Sequence, residues 1–196
     1  MFFKIDVFIN LVFMGRKYAI RNQESFYFVT FTVVYWLDVF TRIEYRNILL
    51  ESIRHCQNEK GLNVGAWCIM TNHAHMIIGS EGKFNLEDII RDMKSYTSRH
   101  IRKYMENNPL ESRKDWMIWM MQRAGKKKSN NKDFQFWQQH NHPIELTSNE
   151  LIEQRLDYIH NNPIKAGFVE TPSDWLYSSA RDYEGRKGLL EIYHLD

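Results

Sequence analysis

The sequence predicts an α+β sandwich with a mainly antiparallel sheet. Three observations carry that expectation: an early run with one apolar face at strand spacing, two extended runs separated by only two residues, and two long segments with helical periodicity between and after them. At 196 residues the chain is little longer than the about 150 of an average domain, so one core is expected. With 43% hydrophobic and 26% charged residues, 9 Gly and 4 Pro, it falls outside the collagen-like, low-complexity and disordered classes.

The first element is residues 25–35, SFYFVTFTVVY, where Tyr27, Val29, Phe31, Val33 and Tyr35 line one face of a strand. Thr41 and Glu44 have capping-box spacing, and Tyr45, Ile48, Leu49, Ile53 and Cys56 then follow helical intervals as far as Glu59. Residues 62–70 and 73–80 read as a hairpin turning on Thr71 and Asn72. Asn85 opens a second helix, with Leu86, Ile89, Ile90, Met93, Thr97, Ile101 and Tyr104 on one side and Arg91, Lys94, Arg99 and Arg102 on the other. A third helix lies within residues 111–124, followed by a lysine-rich loop and a partly extended aromatic segment at 134–146. A second capping box, Thr147 with Glu150, opens the last helix, which Pro163 is expected to stop. The order strand, helix, hairpin, helix, strand suits a ferredoxin-like sandwich with helices on one face of the sheet.

Net charge is only +2, from 26 Lys and Arg against 24 Asp and Glu, so the distribution matters more than the total. Between 111 and 132 stand Arg113, Lys114, Arg123, Lys126, Lys127, Lys128 and Lys132 against only Glu111 and Asp115. That excess suits phosphate, although a solvated loop explains it equally well. Residues 1–14 are apolar but contain Lys4, Asp6 and Asn10, lack a small-residue cleavage site, and fall short of the ~20 residues a membrane span needs. They read as a non-native or disordered extension, with Met14 an alternative start, to a single domain at 15–196. Cys56 and Cys68 are expected as buried thiols in a reducing cytosol, which makes the expected location cytoplasmic.

The chemically informative run is MTNHAHMII. Alternate residues of a strand share a face, so His73 and His75 stand about 6.6 Å apart and can converge on one ion, as half of a metal site. The last helix offers partners. At 100° per residue, Ile152, Leu156 and Ile159 form a core stripe within about 60°, and Tyr158 lies roughly 125° from its centre. Asn162 is one turn beyond Tyr158 on the same side, and Arg155 stands one turn before it. Geometry alone leaves a plainer alternative open, in which Tyr158 and Leu151 broaden the buried surface and Asn162 caps the helix. His140 and His142 form a second His-x-His pair that could join the first in a four-histidine zinc site.

These residues resemble the REP-associated tyrosine transposases, within the single-tyrosine HUH endonucleases. The resemblance is carried by His73-Ala74-His75 after MTN, by LDYIHNNPIKAGFV at 156–169 with PSDWLYSSARDY at 172–183, and by FWQQHNHPIEL at 136–146; it spans residues 18–193. It implies a transposase that cuts single-stranded DNA at hairpin-forming repetitive elements, with Tyr158 as nucleophile and a 5′-phosphotyrosine intermediate. His73, His75 and Asn162 would hold Mg²⁺ or Mn²⁺. Phenols ionise near pH 10, leaving about one in a thousand as phenolate at pH 7, so a cation or a nearby Arg155 would have to assist attack. No GxxxxGK[ST] loop for nucleotide phosphates occurs. DNA contacts are expected from Arg155, Arg123, Lys126, Lys127 and Lys128 along the backbone and from Trp137 by base stacking, with Trp116 and Trp119 nearby. The protein is expected to act as a monomer or homodimer. The competing functions are a DNA-binding protein of the same fold that no longer cuts, and a zinc hydrolase that uses water.

Overall fold

The computed structural model describes residues 19–127 and 133–195, so the extension at 1–14 and the candidate Lys128 lie outside the described residues. Strands β1 (Tyr27–Thr32), β2 (Leu62–Ile69), β3 (His73–Ser80) and β4 (Ile144–Glu145) form one sheet in the order β2-β3-β1-β4. Every neighbouring pair is antiparallel. The helix α1 (Ile43–Lys60) carries the chain from β1 past β3 to β2, and α2 (Leu86–Asn107) with α3 (Lys114–Lys126) leads from β3 towards β4. This is the split βαβ order expected of a ferredoxin-like sandwich.

The two faces of the sheet bury different things. Tyr27, Val29 and Phe31 of β1, Trp67 and Ile69 of β2, and Ala74, Met76 and Ile78 of β3 meet α1, α2 and α3 in the larger core. Phe28, Ala66, Cys68 and Ile77 point the other way and form a smaller core with Ile159 of α4 (Asn149–Lys165), flanked by the half-buried Ile152 and Leu156. The helices α1 and α2 of the ferredoxin-like unit thus share one face as expected, and the additional C-terminal helix α4 covers the opposite face. A bulge between Val64 and Ala66 adds one residue to β2 and puts Val64 on the same side as Trp67. Gly65 occupies it, where a Cβ would stand 2.7 Å from Leu195 Cδ1.

Several helix ends depart from the sequence signals. Thr41 Oγ1 donates to Asp38 O within the preceding turn, and α1 starts after Arg42 without a side-chain cap. Ser148, rather than Thr147, caps α4 by accepting from Leu151 N. Pro163 does not stop α4. A proline removes only its own N–H donor, and the last turn is held by Ala166 N and Phe168 N donating to the carbonyls of Asn162 and Pro163 until Gly167 turns left-handed at φ 76°.

After α4 the chain returns along the outer edge of β2. Ile69 N donates to Tyr177 O and Ser179 N to Trp67 O, and Trp175 Nε1 donates to Ile69 O. The Ser179 hydroxyl bonds the main chain of Trp67 and the Nε2 of His160, one turn from the end of α4. This tail closes an otherwise open sheet edge and ties α4 to it, which fixes where the side chains of α4 can reach.

Candidate functional site

The site forms where β3, β1 and α4 meet. His73 and His75 share the α4 side of β3 with Ile77, and the register sets them opposite Thr32 and Thr30 of β1, with Cys68 of β2 flanking His75. Their rings are 4.6 Å apart, centroid to centroid. His75 Nδ1 is 2.9 Å from Thr30 Oγ1, and His73 Nδ1 is 2.6 Å from the Asn72 side-chain oxygen. When each Nδ1–H donates in these contacts, each Nε2 keeps a lone pair for a cation. Burial, with no carboxylate to counter it, lowers His73 to about 4 and His75 to about 3, the latter also depressed by His73 and Arg155, so both rings are neutral at pH 7. Cys68 is a free buried thiol that desolvation keeps protonated, and Cys56 is likewise free and buried. Neither forms a disulfide, as the sequence suggests.

Ile159 fixes the rotation of α4 by packing into the smaller core, and that rotation sets the preceding residue at the surface. Tyr158 is 37% exposed. Its ring stands 5.0 Å from the His75 ring and 5.9 Å from that of Phe28, edge-on to both. Lys165 Nζ lies 5.7 Å over the Tyr158 ring. Asn162 is half-buried one turn along from Tyr158. The Arg155 guanidinium lies 5.1 Å over Phe28, and its Nε is buried with no hydrogen-bond partner among the described residues. Two imidazoles with free Nε2 positions, an amide one helical turn from a phenol, and an orphaned guanidinium N–H suit a divalent cation with a phosphate bound to it.

At the mouth of this site, β1 ends in a tight turn over Val34–Trp36 in which Tyr35 and Trp36 both have left-handed backbones, at φ 55° and 57°. For aromatic residues this geometry costs of order 1–3 kcal/mol each. The turn is held by Val33 N donating to Asn72 O and Val34 N to Phe136 O. Asn72 also donates from Nδ2 to Trp36 O while its Oδ1 meets His73 Nδ1, so one amide orients both the turn and the histidine. The Trp36 indole is 60% exposed and makes an edge contact with His73 at 5.9 Å.

The other expected residues divide. Arg123, Lys126 and Lys127 are exposed on and just after α3, with Arg123 over Trp119 at 5.5 Å and Lys127 over Tyr35 at 5.9 Å. Trp116 and Trp119 are exposed. Trp137 is not available for stacking: it is only 5% exposed, packs on Phe31, Phe40 and Phe136, and spends its N–H on Thr97 Oγ1 at 2.9 Å. His140 and His142 pair with each other at 6.0 Å, and no group of three or more His, Cys, Asp or Glu suited to a metal exists among the described residues, so the four-histidine site is not formed. Thr30, Asn72, Trp36 and Lys165 escaped the sequence reading. Lys165 was within reach of it, since seven residues on from Tyr158 returns to within about 20° of the same direction.

The family model for "Transposase IS200 like" matches residues 23–122. A solved structure of a REP-associated tyrosine transposase bound to a REP hairpin aligns over 93% of this chain and 94% of its own, with 18% identity and a TM-score of 0.63, which shows a shared fold. A second structure, from Deinococcus radiodurans and provisionally described as a transposase, aligns over 76% of this chain and 97% of its own, at 18% identity and a TM-score of 0.41. No curated protein matches the sequence. No helix among the described residues is long and apolar enough to cross a membrane.

Proposed function

The chain belongs to the IS200-like transposase family and is thus an enzyme that cuts and joins DNA, and on that premise we propose that it is a REP-associated tyrosine transposase acting on single-stranded DNA beside hairpins. The observation that carries this reading is the Tyr158 ring 5.0 Å from His75, an exposed phenol beside an imidazole pair of which His75 is buried and His73 half-buried. The Tyr158 oxygen attacks the scissile phosphorus. A bond from that oxygen to phosphorus forms as the bond from phosphorus to the 3′-oxygen breaks. The phenolic proton leaves and a proton is taken up by the departing oxygen, giving a 5′-phosphotyrosine and a 3′-hydroxyl. One phosphodiester replaces another, so the reverse reaction rejoins strands without a nucleotide cofactor.

His73, His75 and Asn162 would hold the cation, Mg²⁺ or Mn²⁺, which neutralises developing charge on the phosphate when bound. Arg155, with its unpartnered Nε–H, reaches a phosphate oxygen; Lys165, over the Tyr158 ring, favours the phenolate. Arg123, Lys126 and Lys127 follow the backbone of the flanking strand. Tyr158 and both histidines meet within one chain, which supports a site assembled in cis and, of the monomer and homodimer readings, favours the monomer.

Labelled hairpin oligonucleotides with randomised single-stranded flanks, incubated with Mn²⁺, test the reading. The wild type forms a protein–DNA adduct that survives denaturation; Tyr158→Phe forms none yet binds the same DNA. Persistence of the adduct in that variant overturns the assignment of the nucleophile. Absence of the adduct in the wild type, with binding intact, favours a DNA-binding protein that no longer cuts.

A further inference from the structure

Resting on the reading just given, we propose that Trp36 is a stacking platform that seats an unpaired base of the single strand next to the scissile phosphate, and that Tyr35 with Lys127 leads the strand away from it. Four observations converge. Trp36 is the most exposed tryptophan among the described residues, yet it stands beside the metal-binding candidate His73 rather than on a remote surface. Its contact with His73 is T-shaped at 72°, and at 60% exposure most of its surface remains uncovered. Its backbone and that of Tyr35 are left-handed, a conformation that glycine would take without strain, so the turn keeps two bulky aromatics where local energetics disfavour them. Finally, Asn72 bonds the Trp36 carbonyl and the His73 ring together, which couples the platform's position to that of the histidine.

The occupant follows from the surrounding charge. Flat faces are paired with cations here: Tyr35, next to Trp36, lies under Lys127, and two turns back along α3 the exposed Trp119 lies under Arg123. That pairing fits a polymer of aromatic bases joined by phosphates, since every base offers a face to stack and every linkage an anion. A buried protein partner would instead require a contiguous apolar patch, which lysine and arginine interrupt here.

The test measures binding in the Tyr158→Phe background with Mn²⁺, so that no cleavage intervenes. The probes are an oligo-dT strand and hairpin oligonucleotides carrying a single abasic nucleotide at successive flank positions. Trp36→Ala is expected to weaken binding to both intact probes by about five- to a hundredfold, with Trp36→Phe recovering most of the loss. At one flank position beside the cleavage site, removal of the base is expected to weaken the parent but not Trp36→Ala. Unchanged binding by Trp36→Ala overturns the proposal, as does a loss that adds to the abasic loss at every position, which would mark Trp36 as a shield for His73. These readouts need no adduct. A wild type that forms none therefore overturns the phosphotyrosine reading alone, and one that forms it beside an indifferent Trp36→Ala overturns this inference alone.

Discussion

Thr30 and Phe31 are neighbours in the chain, and they belong to different problems. Phe31 faces the α1 and α2 side, where Trp67, Met76 and Ile53 make a close-packed apolar core. Thr30 faces α4, where it bonds His75 in a layer that also holds Tyr158 and Arg155. The two-residue period of a strand thus separates stability from chemistry within a single β-strand. One face is mainly apolar, with its few buried polar groups, such as Thr97, hydrogen-bonded within it, and can be rigid. The other is thinner and mixes Phe28, Cys68 and Ile77 with imidazoles and a buried guanidinium N–H that has no hydrogen-bond partner among the described residues.

The sharpest way to break this division is to change both neighbours. Phe31→Ala opens the larger core and is expected to cost about 3–5 kcal/mol of stability, read by denaturant unfolding, while adduct formation persists at low temperature where the chain stays folded. Thr30→Val keeps nearly the same volume and is expected to leave stability within about 1 kcal/mol. Removing the hydroxyl that orients His75 is expected to raise the Mn²⁺ concentration needed for half-maximal adduct formation about ten- to a hundredfold. If the two variants exchanged effects, the separation of the faces would be wrong.

A smaller effect sharpens the comparison through pH. His73, His75 and His160 are all held low by burial, at about 4, 3 and 4, and all lie on the α4 side of the sheet. In the unfolded chain such groups take protons first as pH falls below about 6.5. The sign is therefore fixed: full stability above about pH 6.5, then a loss as pH falls towards 4. His160→Gln, whose amide keeps a partner for Ser179 but does not titrate, is expected to flatten that decline by roughly 1–3 kcal/mol at pH 4, measured by unfolding at a series of pH values. An equally steep decline in this variant would assign the acid sensitivity elsewhere.

How much of this was legible depends on whether a feature is periodic or tertiary. The hairpin, α1, α2 and the buried stripe of α4 follow from alternation and helical spacing, because burial imposes those periods on the sequence. The His73 and His75 pair and the surface position of Tyr158 follow from the same arithmetic. What escaped has no local signature. Thr30 matters only because β1 pairs with β3 in one register, and Asn72 only because the hairpin turn meets the end of β1. Trp137 reads as a DNA contact because aromatic residues near lysines look alike in sequence whether they face solvent or core; the deciding partners, Thr97 and Phe31, are about forty and a hundred residues away. That α4 covers the face opposite α1 and α2 likewise depends on the tail from Trp175 to Ser179, too short and mixed to be read as an element.

The turn at Tyr35 and Trp36 lies on the border between the two faces, and the smallest predicted effect tests whether function or stability set its residues. At φ 57° glycine is relaxed and alanine is not, although both delete the indole. Trp36→Gly is therefore expected to be more stable than Trp36→Ala by about 1 kcal/mol, seen as a higher unfolding midpoint at unchanged denaturant slope. Both variants should bind the single strand equally poorly, since neither offers a face to stack. A glycine variant no more stable than alanine would mean that the turn relaxes out of its left-handed geometry once the indole is gone. The contact with His73 would then hold the strain in place, and the direction of the coupling through Asn72 would run from His73 outward to the turn proposed to meet DNA.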